Sequence, residues 1–237
     1  MLDLFGTAIL DYQTNNTPEN LQTETSISEI DEMSVAYLFR DFNEMPLLEQ
    51  KALTLAKGRV LDVGCGSGSH SLYLQSERNL EILALDISPN AIKTCELRGV
   101  KNTKIQDVMT LENEKFDTIL LLMNGAGMCG RLKNISKFLQ KLKSLLLPNG
   151  QILVDSSDII YMFDEDEDGG KWIPANESYY GEVTFTVHYK GKTDQPFEWL
   201  YIDFNTLQNA ANANGFQCEL VEEGEHFDYL AKLTLPE

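Results

Sequence analysis

Residues 60–74 read VLDVGCGSGSHSLYL: an apolar run, three glycines spaced by two (Gly64, Gly66, Gly68), then a helix-like stretch. Glycines at the end of a buried strand allow a sharp turn, positive φ and close approach of a ligand to the backbone. The residues downstream decide what kind of sheet the loop serves. LEILALDI (80–87) reads as a second strand. Ser88 then supplies an N-cap, Pro89 the first helical position and Gly99 the helix end. TKIQ (103–106) is a short strand, and FDTILLLMN (116–124) has the unbroken apolar run of a central parallel strand. Leu132, Ile135, Leu139, Leu142 and Leu146 mark a helix that ends at PNG, and QILVDSS (151–157) is another strand. This alternation predicts an α/β fold, a doubly wound, mostly parallel sheet covered on both faces.

The flanks break the alternation. Residues 1–58 read as a helical cap: Ser26 and Glu29 have capping-box spacing, and Ile30, Met33, Tyr37 and Leu38 follow at helical period. A second helix runs from Pro46 to Gly58. In the last third, EVTFTVHYKGK and FEWLYID predict an inserted β-hairpin. FNTLQNAANANGF predicts a helix, and QCELVEEG with FDYLAKLTL a final hairpin around Gly224. No repeat or linker interrupts the 237 residues. The expectation is one domain: a cap (1–58), a ligand-binding core (59–155 and 203–237) and an insertion on the substrate side (156–202).

Charge and composition remove several function classes. The net charge is −18, and the nearest approach to a basic cluster is Lys133, Lys137, Lys141 and Lys143 on one helix face. Such a surface repels phosphate backbones, so no nucleic-acid partner is expected. No apolar run has the ~18–20 residues of a membrane span. The start, MLDLFGTAILDYQ, has no cationic region of a signal peptide, and Cys65, Cys95, Cys129 and Cys218 form no Cys-x-x-Cys pair. These features suggest a cytoplasmic protein with reduced thiols.

Spacing narrows the ligand. A P-loop needs Gly-Lys-Ser/Thr after four residues, and no lysine follows here. A dinucleotide fingerprint puts its third glycine where Ser69 stands, not at Gly68. A tight turn with no ligand is the alternative, and three acids count against it. Asp86 ends the second strand, where a carboxylate accepts two hydrogen bonds from a ribose diol. Asp107 follows the third strand, where an adenine edge would lie, and Asp62 sits within the glycine strand, within reach of an amino group.

VLDVGCGSGSHSLYL, ALDISPNAI, IQDVMTL and FDTILLLMNGAG together resemble the successive motifs of class I S-adenosylmethionine-dependent methyltransferases. The last helix and hairpin (203–235) resemble the end of that fold, whose antiparallel last strand completes a Rossmann-like seven-stranded sheet. The resemblance implies S-adenosyl-L-methionine as cofactor. It implies that Gly64, Cys65, Gly66, Ser67 and Gly68 form the loop around its methionine part, with Asp62 near the amino group. Asp86 would take the ribose, and Ile87 would pack on adenine. Asp107 would bond the adenine amino group, Val108 would offer a backbone N–H, and Asn124 and Gly125 would lie beside the methyl group. NGAG stands where enzymes that methylate amino groups of nucleic acids and proteins often carry Asn/Asp-Pro-Pro-Tyr/Phe. The expected partner is therefore a small-molecule methyl acceptor, with a cofactor-binding protein lacking transfer activity, or a nicotinamide-dependent oxidoreductase, as the rival readings.

Weaker signals remain. FDEDEDGGKW (163–172) starts like a calcium loop but has Ala175 where the bidentate Glu belongs, so no metal is expected. Asp155 and Asp158 follow the fifth strand on the acceptor side, and His188 on the inserted hairpin has a general base's chemistry. Cys65 reads as packing, and Arg40 as a partner for the cofactor carboxylate or for an internal acid. The aromatic segment 161–201 can roof a substrate cleft or form a homodimer contact.

Overall fold

The computed structural model describes residues 2–166, 168–173 and 179–236. The chain opens with helix α1 (Leu4–Thr14), strands β1 (Leu21–Thr25) and β2 (Ser28–Met33), two 3-10 turns, and helix α2 (Leu47–Leu55). The expected alternation follows: β3 (Arg59–Val63), α3 (Ser69–Ser76), β4 (Glu81–Asp86), α4 (Pro89–Arg98), β5 (Thr103–Ile105), β6 (Phe116–Leu121), α5 (Ile135–Leu145) and β7 (Leu146–Ser157). The last third holds β8 (Glu182–Tyr189), β9 (Lys192–Thr193), β10 (Phe197–Leu200), α6 (Phe204–Ala213), β11 (Gln217–Glu223) and β12 (Asp228–Thr234).

The main sheet has the order β11-β12-β7-β6-β3-β4-β5. Strands β3 to β7 run parallel, and β12 pairs antiparallel with both β7 and β11. This is the seven-stranded Rossmann-like sheet the sequence predicts. Leu61, Ile119 and Ile152 meet the stripe Ile135, Phe138, Leu139 and Leu142 of α5 on one face. Leu120 and Leu153 meet Leu48, Ala52 and Leu53 of α2 on the other. Burial on both faces explains why β6 reads as one apolar run rather than an alternation. Helix α4 follows its local signals: the Ser88 side chain accepts from Ala91 N, Pro89 opens it, and Gly99 closes it at φ 97°.

The helical expectation fails for residues 26–33, while Tyr37 and Leu38 lie in a 3-10 helix (Val35–Phe39). Ser26 lies in the β1–β2 turn, where Thr25 N donates to Ser28 Oγ at 3.2 Å, and Glu29 lies within β2. The reason lies far along the chain. Strand β1 pairs with β8 on its other edge, giving a second, antiparallel sheet of order β10-β8-β1-β2. Leu21 is fully buried among Leu4, Ala8, Val35, Val187 and Tyr189. The inserted hairpin is present as β8 and β10, but it and the N-terminal segment form one layer. Strand β7 also starts five residues early: a register shift opposite Phe116 and Thr118 absorbs PNG, with Asn149 at φ 63°.

Candidate functional site

The glycine loop is stitched to β4: Gly64 N and Cys65 N both donate to Leu85 O, at 2.8 and 3.1 Å. Gly64, Gly66 and Gly68 have φ of 72°, 53° and 83°. A Cβ at Gly68 would come within 2.8 Å of Cys95 Sγ, so this glycine lets α4 approach. A Cβ at Gly66 would meet Gly64 O and the Ile9 side chain of α1 at 4.0 Å, ordinary contact, so Gly66 answers to its positive φ and not to tight packing. Gly64 is the exposed glycine of the three, so the loop presents backbone to solvent at the end of β3.

Asp86 braces the loop from β4. Its Oδ2 accepts from Gly66 N at 3.0 Å and its Oδ1 from Ser88 N at 2.9 Å. Burial pushes its carboxyl above the usual range, and those two N–H donors only partly offset the shift. Each carboxylate oxygen keeps a lone pair for a further donor. Ile87 follows, 64% exposed, as a bare apolar side chain beside the loop. Asp107 lies at the end of β5, exposed, its Oδ1 accepting from Met109 N at 2.8 Å, with Val108 buried next to it.

Three loop neighbours are committed inward. Asp62 is buried, and its Oδ2 accepts from Ser71 Oγ of α3 at 2.6 Å. The Ser67 hydroxyl donates to Leu38 O. Cys65 Sγ lies 3.6 Å from Cys95 Sγ, and the Cys95 contact and burial push its thiol well up, as suits a packing residue.

The turn after β6 is the other wall. Met123 and Asn124 both have left-handed φ, 64° and 58°. Asp155, expected to face an acceptor, is the clamp on this turn. Its Oδ2 accepts from Met123 N at 3.0 Å and its Oδ1 from Gly125 N at 3.2 Å. It is 8% exposed, and burial pushes its carboxyl up to about 7. Asn124 Oδ1 accepts from Ser157 Oγ at 3.0 Å. Asp158 accepts from Ile160 N at 2.9 Å and from Tyr180 OH at 2.8 Å, tying the insertion to the end of β7.

His188 is not brought to this site. Strand β8 begins beside it, where Glu182 accepts from Leu132 N at 2.9 Å. His188 lies six residues further along, roughly 20 Å at a strand's rise. Alternation turns it away from Val187 and Tyr189, which pack towards α1. Its Nδ1 meets Thr193 Oγ1 at 2.9 Å and its Nε2 faces Glu24 at 3.4 Å, so the general-base expectation for His188 is corrected.

A buried charged cluster, barely signalled in the sequence, lies behind the loop. Glu49 pairs with Arg40 and, at 2.6 Å, with His70 Nε2. Burial opposes both charges, yet His70 and Arg40 hold the Glu49 carboxyl below its usual range, and Glu49 and Asp62 hold the His70 imidazole above its own. Arg40 also sits 3.8 Å over the Tyr37 ring. The Arg40–Glu49 pair is the intramolecular salt bridge that the sequence reading offers for Arg40. The signal was residue type alone: a His in the first turn of α3 and a Glu in α2.

Residues 55–204 match the family model described as "Methyltransferase domain". A solved S-adenosylmethionine-dependent methyltransferase from Bacteroides fragilis, in complex with S-adenosyl-L-homocysteine, is 47% identical. The similarity covers 99% of this chain and 95% of that one, with a TM-score of 0.91. DesVI of Streptomyces venezuelae shares the fold, at 16% identity and a TM-score of 0.58, over 85% of this chain and 96% of its own. Among curated proteins, a ubiquinone biosynthesis O-methyltransferase of Xylella fastidiosa (strain 9a5c) is 27% identical over 114 residues. That match spans 45% of this chain and 44% of the relative, less than half its length. On the family match over more than half its residues and the near full-length likeness to the Bacteroides fragilis protein, this chain belongs to the S-adenosylmethionine-dependent methyltransferases.

Proposed function

We propose that the protein transfers a methyl group from S-adenosylmethionine to a small-molecule acceptor. One observation carries the reading: the glycine loop with its exposed Gly64 and with Asp86 bonded to Gly66 N, at the carboxyl ends of β3 and β4. Backbone groups of Gly64 to Gly68 would hold the methionine part. Asp86 would take the ribose hydroxyls and exposed Ile87 the adenine face, with Asp107 and Val108 at the adenine edge. Asn124 and Gly125 would flank the methyl group. When bound, the cofactor supplies a sulfonium-activated methyl carbon. The protein's part is to hold an acceptor lone pair in line with it and to exclude water, which is worth up to ~7–11 kcal/mol. An acceptor that is already a good nucleophile needs no general base.

A small acceptor fits the charge of −18 and the absence of a basic patch in the sequence. Four free thiols support a reducing, cytosolic setting. A ligand at one hundred times its dissociation constant adds ~2.7 kcal/mol. At ~2–4 °C per kcal/mol for a chain of this length, S-adenosylmethionine or S-adenosylhomocysteine should raise Tm by roughly 5–10 °C, while NAD should not. A rise with NAD alone overturns the reading. Cofactor binding with no consumption of methyl-labelled cofactor in any metabolite extract favours a binding protein without transfer activity.

A further inference from the structure

Two aromatic rings stand open where the end of β7 meets the start of β12. Tyr161 is 50% exposed and Phe227 59%, and their rings stack at 4.9 Å with an interplanar angle of 18°. Phe227 has φ 60°, a conformation that a bulky side chain rarely takes. Neighbouring bonds hold it there. Asp158 N donates to Phe227 O at 2.9 Å, Gly224 N donates to Asp228 O at 2.7 Å, and His226 N donates to Asp228 Oδ1 at 3.0 Å. The fold thus maintains a strained backbone whose result is a phenyl ring in solvent. Strain sustained in this way gathers at binding positions.

The stack adjoins the turn that flanks the methyl group in the proposed function, on which this inference rests. Asp228 pairs with Ser157 in the β12–β7 register, and Ser157 Oγ bonds the Asn124 side chain at 3.0 Å. Asp158 and Asp228 lie on either side of the rings in sequence, and Lys171, whose Nζ reaches Phe163 O at 3.5 Å, is paired with Glu165 at 2.8 Å.

We propose that the Tyr161–Phe227 stack is the acceptor platform and that it takes a flat, amine-bearing small molecule. The acceptor's ring would lie on the stack, with its nitrogen towards Asp158 and Asp228. Ring faces and carboxylates both attract a cationic or hydrogen-bond-donating nitrogen, and both disfavour an anionic acceptor. Two rings are far short of the ~800 Å² per partner that a stable protein interface buries, so a small molecule suits the patch better than a second chain.

The test uses the full chain loaded with S-adenosylhomocysteine and two probes of one shape, tryptamine and indole-3-propionate. Saturation-transfer NMR and calorimetry should show tryptamine binding, at least fivefold tighter than indole-3-propionate. Tyr161→Ala and Phe227→Asn (asparagine accepts the positive φ) should each weaken tryptamine at least fivefold. Both should bind S-adenosylhomocysteine within twofold of the parent. No tryptamine binding to the loaded protein overturns the proposal, as does equal binding of the two probes. It falls too if either variant leaves tryptamine unaffected, including the case where that variant instead changes the oligomeric state in sedimentation. Failure of the parent to bind S-adenosylhomocysteine defeats the proposed function and is read separately.

Discussion

Asp86 braces the glycine loop and is the proposed ribose ligand, which sets what its removal should do. It accepts from Gly66 N and Ser88 N, and the proposed ribose contact would use its remaining lone pairs. Hydrogen bonds to a charged group are worth ~1.5–3 kcal/mol each and are not additive. Asp86→Ala should weaken S-adenosylhomocysteine some 30- to 1000-fold by calorimetry and lower Tm by a few degrees. A 2′-deoxy analogue of the ligand separates the two effects. It should bind the parent more weakly than the ribose form, and bind Asp86→Ala no worse than the ribose form does. Unchanged affinity in the variant means that the ribose lies elsewhere. Asp155 differs, because its carboxyl is raised to about 7 from 3.8. Between those values the folded state holds more protons than the unfolded chain, so the contribution of Asp155 to stability falls as pH rises through that window. The full loss, reached above the folded value, is on the order of 4 kcal/mol at most. Asp155→Asn does not titrate. The parent's stability relative to that variant, from urea melts at pH 5, 6.5 and 8, should decline with pH. A difference that stays flat would show that Asp155 ionises normally.

The elements differ in how far neighbouring residues determine them. Helix α4 carries its own cap, first-turn proline and closing glycine, so it reads from ten residues. The β1–β2 hairpin does not. Its capping-box spacing is a local signal that loses to pairing with β8, a partner more than 150 residues away. The same long-range logic governs the 3-10 turn Gly125–Cys129, which packs against β10. A Cβ at Gly127 would lie 2.0 Å from Trp199 Cε2. Gly127→Ala should therefore displace the indole, shift Trp fluorescence and destabilise the fold by ~1–3 kcal/mol, as overpacking does. Trp199→Phe removes the obstructing atoms, so the double variant should be more stable than the sum of the single effects requires. Strict additivity would mean that the turn moves instead of the ring.

At the scale of the whole molecule, the main sheet carries the glycine loop, and the second sheet joins the N-terminal hairpin to the inserted one. Strand β8 holds β1 on one edge and β10 on the other, and the core between them includes α1 residues Leu4 and Ala8. Deleting residues 161–198 and bridging the gap with a short glycine linker takes away that central strand. Hydrogen exchange should then show residues 21–33 losing protection while β3 and β6 keep theirs. Protection retained over 21–33 would mean that the N-terminal hairpin stands without β8.

The alternation from 59 to 157, the glycine loop and Asp86 were legible because each depends on neighbours in the chain: strand periodicity, caps, and glycines at positive φ. The sequence by itself therefore determined the parallel sheet, the cofactor class that the glycines and acids resemble, and the end of the sheet that carries the glycine loop. Tertiary structure alone decided the rest. It made residues 21–33 strands by giving β1 a distant partner. It turned Asp155 into a clamp by burying it under Met123 and Gly125, and it removed His188 from the site by the alternation of a strand whose start, not its end, reaches the cleft. It also joined Arg40, Glu49 and His70 from three segments into one buried cluster. Local conformational preference fixes which elements form, but pairing and burial between distant segments fix which faces meet, and a side chain's role depends on the face it meets.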